Sequence, residues 1–422
     1  MSGTATKKVV QTLTGKPPGR PRSAQIRQFR GHGKVGLIDI GLLIWFPGPG
    51  SFTGEDVAEF QVHGGPSVVR ALLESIGQVS GCREAGAGEF TKRAFVGGKL
   101  DLAQVEGSAD LVAAETEGQR KQAVRQLNGA LGTQCENWRR ALIDNLGRVE
   151  ATLEFPDEGV PDSVLGAALG GVEDTLVSMQ KVLQGAAIGE RVRNGVDVAL
   201  VGPPNVGKSS IINRLAGREA AIVSAKKGTT RDVVEVRLDV QGFAVTVSDT
   251  AGLRDDGDEG DEVERQGIRR AAERAKSSDL VVAVYDARDW PQRDEKTSSV
   301  ISGDYMEVFN KADLVDGSEP RPGEFISAVT GQGFRGFESF LGDKVKGLMS
   351  EGYGEAAIVT RERHRRALQE VCAALDRACN QREPELLAED LRLAMRALGR
   401  ITGLVGVEKV LDSLFREFCI GK

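Results

Sequence analysis

Cysteine is scarce in this chain and never falls in a CxxC spacing: the five residues, Cys82, Cys135, Cys372, Cys379 and Cys419, are scattered and odd in number. That argues against a disulfide framework or a zinc ribbon and suits a reducing compartment. Long apolar runs are missing too. None approaches the roughly 18 residues of a membrane-crossing helix, and stretches such as Val196 to Val201 are strand-sized, so no membrane insertion is expected. Positive charge is not in excess, since 55 Lys and Arg against 61 Asp and Glu leave a net −6. Any RNA contact therefore needs a local basic patch. Acids are absent from residues 1–38, which carry Lys7, Lys8, Lys16, Arg20, Arg22, Arg27, Arg30 and Lys34. Residues 1–34 read on that ground either as an organellar targeting segment or as a basic terminus outside the fold.

At 422 residues the chain exceeds one ordinary core. Residues 35–101 are glycine-rich with short apolar runs: Leu37 to Phe46 and Asp56 to His63 are expected as strands and Ser67 to Ile76 as a helix, a small α+β domain. In residues 102–194 apolar side chains recur at helical spacing, as in Trp138, Leu142, Leu146, Val149 and Leu153, and the same texture returns over 351–422 through Leu368, Val371, Leu375, Leu391 and Leu398. Between them, residues 195–350 alternate strand and helix signals, which predicts a mostly parallel sheet covered on both faces. The expected fold is thus multidomain, an α/β nucleotide domain inserted in a discontinuous helical domain behind a small α+β domain. The run Arg361, Arg363, His364, Arg365, Arg366 is either a solvated helix face or a contact for RNA phosphates.

Gly202-Pro203-Pro204-Asn205-Val206-Gly207-Lys208-Ser209 fits GxxxxGK[ST] between a strand and a helix. A glycine-rich backbone lets amides surround phosphates, Lys208 neutralises β/γ charge and the Ser209 hydroxyl reaches Mg²⁺, with Ser210 beside it. Asp249-Thr250-Ala251-Gly252 ends a strand, where Asp249 can hold the Mg²⁺ shell and the Gly252 amide the γ-phosphate. In Asn310-Lys311-Ala312-Asp313, the Asp313 carboxylate can accept two hydrogen bonds from guanine, which adenine cannot supply. Ser327 and Ala328 are expected against the guanine 6-oxygen through a backbone amide. Together these motifs predict a Ras-like P-loop domain that binds and hydrolyses GTP. Leu253 follows Gly252, where a glutamine would orient the attacking water, so catalytic help must come from elsewhere. Within Gly228-Thr229-Thr230-Arg231-Asp232, Thr230 is the favoured second Mg²⁺ ligand.

Trp45-Phe46-Pro47-Gly48-Pro49, Ser51-Phe52-Thr53-Gly54-Glu55-Asp56, His63-Gly64-Gly65-Pro66, Gly88 to Phe95, Lys99 to Gln104 and the terminal Phe418-Cys419-Ile420-Gly421-Lys422 resemble the MnmE (TrmE) family of tRNA-modifying GTPases from about Leu43 onward. The resemblance implies modification of carbon 5 of the wobble uridine (U34) of certain tRNAs, together with an FAD-dependent MnmG (GidA)-type partner. It implies a homodimer and a tetrahydrofolate one-carbon donor held by Glu59, Lys99 and Lys422. It also implies K⁺ beside the phosphates, held by Asn205 and a loop containing Ser224, Lys226 and Thr229, and a water oriented by Glu264. Cys419 matches the family cysteine and is a candidate functional thiol. The family's opening strand, with its folate-binding arginine, has no counterpart recognised before Leu43. Glu136-Asn137-Trp138-Arg139 and Gly217-Arg218-Glu219-Ala220 look most like fungal mitochondrial members, so a mitochondrial location is expected, with the bacterial cytoplasm as the alternative. An Era- or Der-like RNA-binding switch in ribosome assembly is the competing function; it leaves residues 43–193 and the tail unexplained.

Overall fold

The computed structural model describes residues 1–31, 36–154, 162–217, 221–222, 235–249, 269, 272–301, 305–315, 323–350 and 357–405. They divide into two compact units, one of residues 1–109, 126–140 and 395–422, the other of residues 110–125 and 141–394.

The first unit opens with helix α1 (Thr6–Thr14), which stops at Gly15 in the left-handed conformation. Strands β1 (Gln25–Arg30), β2 (Leu37–Phe46) and β3 (Val57–Gln61) follow and form an antiparallel sheet in that order. Period-2 alternation sends Phe29, Leu43, Trp45 and Ala58 to one face, where they meet Val9, Val10 and Leu13 of α1 in a buried core. Helix α2 (Pro66–Gly77) adds Leu72, and α3 (Glu89–Val96) buries Ala94.

These contacts correct the reading of residues 1–34 as a segment outside the first domain. The basic side chains Lys7, Lys8 and Arg30 stand exposed while Val9, Val10, Leu13 and Phe29 between them fill the core. Composition registered the outward charges and missed the inward face. Strand β1 likewise supplies β2 with a partner where none was recognised before Leu43.

Helices α4 (Leu102–Ala113), α5 (Glu117–Leu127), α6 (Ala130–Glu154), α7 (Asp162–Gln184) and α8 (Ala186–Asn194) bear out the helical periodicity of the next stretch. The chain then enters β4 (Val196–Val201) and α9 (Lys208–Ala216). After these come β5 (Glu235–Val240), β6 (Phe243–Asp249), β7 (Leu280–Asp286), α10 (Glu295–Val300), β8 (Tyr305–Asn310), β9 (Glu324–Phe325) and α11 (Phe334–Ser350). Strand order is β5-β6-β4-β7-β8-β9, parallel except for the β5–β6 hairpin. Every residue of β7 is buried, as a strand covered on both faces requires. Helices α12 (Glu362–Cys379) and α13 (Pro384–Thr402) return to the helical texture, so the α/β domain sits inside a discontinuous helical one.

The basic run at the start of α12 divides: Arg361, Arg363, His364 and Arg365 are buried or half-buried, and Arg366 is exposed. His364 is fully buried, Arg361 binds Asp110 at 2.7 Å, Arg365 binds Glu190 at 2.9 Å and Arg366 pairs with Glu362 one turn earlier.

Candidate functional site

Strand β4 ends at the phosphate loop and α9 begins inside it, so the loop hangs between two rigid elements. Asn205 and Gly207 both adopt positive φ (62° and 95°) to make the turn. Gly207 has a second reason to be glycine: a β-carbon there would overlap Nδ2 of Asn310. Val206 is buried, while Asn205, Ser209 and Ser210 face outward.

Lys208 is only 5% exposed, and its ammonium donates to the carbonyls of Gly202 (2.8 Å) and Pro203 (2.9 Å). Burial pushes its pKa below the ordinary lysine value, against the opposing pull of the Asp249 carboxylate. A phosphate arriving at the loop would meet a cation already partly stripped of water, where its charge acts at low dielectric.

Asp249, buried at the end of β6, accepts a hydrogen bond from the Ser209 hydroxyl at 2.6 Å. The two expected Mg²⁺ groups are thus in contact. A hydroxyl and a carboxylate form a hard oxygen donor set of the kind Mg²⁺ takes alongside phosphate and water, so the residues fit the ion.

Strand β8 ends in Asn310, which is 3% exposed and joins two loops. Its Nδ2 donates to the Val206 carbonyl at 2.8 Å, and its Oδ1 accepts from the Ala328 amide at 3.0 Å. The phosphate loop and the base loop are therefore braced through one side chain. Lys311 turns into the left-handed region (φ 67°) and sends its ammonium to Asp286 at 2.9 Å. Asp286 ends β7 directly opposite Asn310 in register and also takes the Arg288 guanidinium at 2.7 Å. Arg288, together with Lys311, holds the Asp286 carboxyl well below the usual carboxylate range. Asp313 is exposed, Ser327 is fully buried and Ala328 is 8% exposed.

Two contributors were missed by sequence reasoning. Asp286 closes a strand as Asp249 does, but without the DxxG spacing that identified Asp249. Arg214, in the last turn of α9, donates to the carbonyls of Ala328 and Val329; six residues beyond Lys208 it carries no local signal. In the base loop, the Ala328 amide donates to Asn310.

In the first unit, Glu59 lies exposed on β3, opposite Ile44 of β2. Lys99 lies exposed on the loop after α3 and lines a cavity of about 410 Å³ that also reaches Asp101, Cys135 and Arg139. Ser224, Lys226, Thr229, Thr230, Gly252, Glu264, Cys419 and Lys422 fall outside the described residues.

Comparison with known proteins covers the whole chain. A family profile described as the MnmE helical domain matches residues 102–419, and one described as the GTP-binding protein TrmE N-terminus matches residues 1–99. A tRNA modification GTPase MnmE of Paramagnetospirillum magneticum is 47% identical over 428 residues, covering 100% of this chain and 95% of that one. Its namesake in Parvibaculum lavamentivorans is also 47% identical, over 433 residues with the same coverage, and that of Maricaulis maris is 45% identical over 425. Aquifex aeolicus Era bound to GDP·AlF4⁻ overlaps 35% of this chain and 56% of its own at 24% identity and a TM-score of 0.28, too low to carry an argument. The relatives are bacterial, which overturns the mitochondrial expectation. The match from residue 1 agrees with the folded start of the first unit.

Proposed function

The chain belongs to the MnmE (TrmE) family of tRNA modification GTPases, and we propose that its GTP hydrolysis drives modification of carbon 5 of the wobble uridine together with an FAD-dependent MnmG-type partner. The observation that carries this reading is the extent of the similarity. It spans residues 1–99 and 102–419, whereas a ribosome-assembly switch of the Era kind would account for the nucleotide domain alone. The chain is a GTPase of tRNA modification, and that competing reading is set aside.

In the proposed mechanism Lys208 would hold the β/γ-phosphates, and Ser209, Asp249 and Thr230 would hold Mg²⁺, which would supply charge neutralisation at the phosphates. Asn205, Ser224, Lys226 and Thr229 would hold K⁺ through side-chain or backbone oxygens, and its charge would stand in for an arginine finger. Glu264 orients the attacking water in place of the glutamine that Leu253 displaces. Glu59, Lys99 and Lys422 would hold the folate in a homodimer.

Deleting the gene and complementing with wild type or Lys208→Ala tests the function through mass spectrometry of tRNA nucleosides. Wobble uridines should lose their substituent and regain it with the wild type only; unchanged modification in the deletion strain sinks the proposal. For K⁺, hydrolysis should fall sharply when Na⁺ replaces it, and Asn205→Ala should remove the difference.

A further inference from the structure

The loop from Ser327 to Gly331 has its amides assigned almost completely. Ser327 N–H donates to the Gln332 carbonyl at 2.9 Å and Gly331 N–H to the Ser327 carbonyl at 2.8 Å. Thr330 N–H donates to the Ser327 hydroxyl at 3.0 Å and Ala328 N–H to Asn310 at 3.0 Å. Val329 N–H is the remaining amide, and it has no partner among the described residues. Val329 is also 81% exposed, beside an Ala328 that is 8% exposed.

Arg214 decides where that amide points. Its Nη1 donates to the Ala328 carbonyl at 2.9 Å and to the Val329 carbonyl at 3.0 Å, and its guanidinium stacks on Phe334 at 5.4 Å. In a trans peptide the N–H points opposite the C=O. Fixing the Ala328 carbonyl toward α9 therefore turns the Val329 N–H to the far side of the loop. Gly331 is part of the same arrangement: at φ 88° it takes a conformation other residues resist, and a β-carbon there would overlap Nη2 of Arg214.

We infer that Arg214 is a positioning residue that sets the preference for 6-oxopurine nucleotides, by holding the Val329 amide as a donor for the purine 6-oxygen. This rests on the guanine-binding reading of the site and deepens it. Asp313 reads the N1 and 2-amino edge, and Arg214, from the helix that begins at the phosphate loop, sets the 6-oxygen contact. A 6-amino purine would confront the aligned amide with another donor. Arg214 acts through the loop, since its Nη1 is given to the Ala328 and Val329 carbonyls.

Full-length wild type, Arg214→Met and Arg214→Lys are compared by titration calorimetry with GDP, IDP and 2-aminopurine riboside diphosphate, which lacks the 6-oxygen. Arg214→Met should weaken GDP and IDP alike by about tenfold, the scale of one net hydrogen bond, and leave the 2-aminopurine nucleotide unchanged. Arg214→Lys keeps a cationic donor at one nitrogen but loses the guanidinium plane, so it should restore part of the loss, and it carries the test if the methionine variant fails to fold. Equal weakening of all three nucleotides would show a merely structural arginine, and no weakening of any would show an idle one; either overturns the inference. Failure of the wild type to prefer GDP over ADP would instead sink the guanine reading.

Discussion

Replacing Asn310 by alanine tests whether phosphate and base recognition share one brace. The change strips the Val206 carbonyl and the Ala328 amide of their common partner, at residues 5% and 8% exposed respectively. A buried polar group left unsatisfied costs about 1–3 kcal/mol. With two such groups and some relaxation, roughly 3 kcal/mol of local stability is at stake, or about a hundredfold in an opening equilibrium. Native-state hydrogen exchange reads this residue by residue, without treating a chain of several domains as a single two-state unit. Exchange at the Ala328 amide should rise by about two orders of magnitude, and GDP affinity should fall with it. Asn310→Asp separates the two bonds: its carboxylate still accepts from Ala328 but faces the Val206 carbonyl with no hydrogen to give. Protection at Ala328 should survive in that variant while GDP binding is lost. Exchange at Ala328 within threefold of wild type in Asn310→Ala would refute the shared brace.

Gly207→Ala places a methyl group at φ 95° and against Asn310 Nδ2, so calorimetry should find GDP binding abolished; a variant binding within threefold of wild type would show that the loop has another route through the turn. Glu89, in the first turn of α3, is bound by Arg83 and Arg93 and has its pKa drawn down to about 2, chiefly by the Arg83 hydrogen bonds. A depressed folded-state pKa adds stability above the unfolded value of 4.5 that is lost as pH falls toward 2. The amount is at most about 3 kcal/mol, and less because Arg83 is exposed. Acid titration followed by Trp45 and Trp138 fluorescence should show Glu89→Gln less stable at pH 6 and flatter between pH 4.5 and pH 2; superimposable curves would remove the ion pair from the acid response.

Sequence spacing carried the catalytic core of the fold because its signals are local. A phosphate loop needs its residues consecutive, and buried parallel strands such as Leu280–Asp286 advertise themselves as apolar runs. Residue types with a fixed chemical task, Lys208, Asp249 and Asn310, were legible for the same reason. What spacing could not show is partnership across the chain. Arg214 meets Ala328 across a sequence separation of 114 and Asp110 meets Arg361 across one of 251; an arginine in a helix looks the same whether it faces water or a carbonyl. The basic residues at the start misled for the converse reason, since they lie exposed on α1 and β1 while Val9, Val10, Leu13 and Phe29 build the core.

The site also shows why a guanine nucleotide can be sensed as a whole. Asn310 ties the Val206 carbonyl to the Ala328 amide, and Arg214 ties α9 to the carbonyls of the same base loop. Displacing the phosphate loop must therefore strain the base loop through two separate links, one at its amide side and one at its carbonyl side. With single links, either loop could reorganise alone at a cost of about one hydrogen bond. With both, base and phosphate contacts form together, and a nucleotide of the wrong base loses part of its phosphate grip as well. Removing both links at once, as in Asn310→Ala with Arg214→Met, should cost more GDP affinity than the product of the single losses, because each remaining link partly supports the loop in the other's absence.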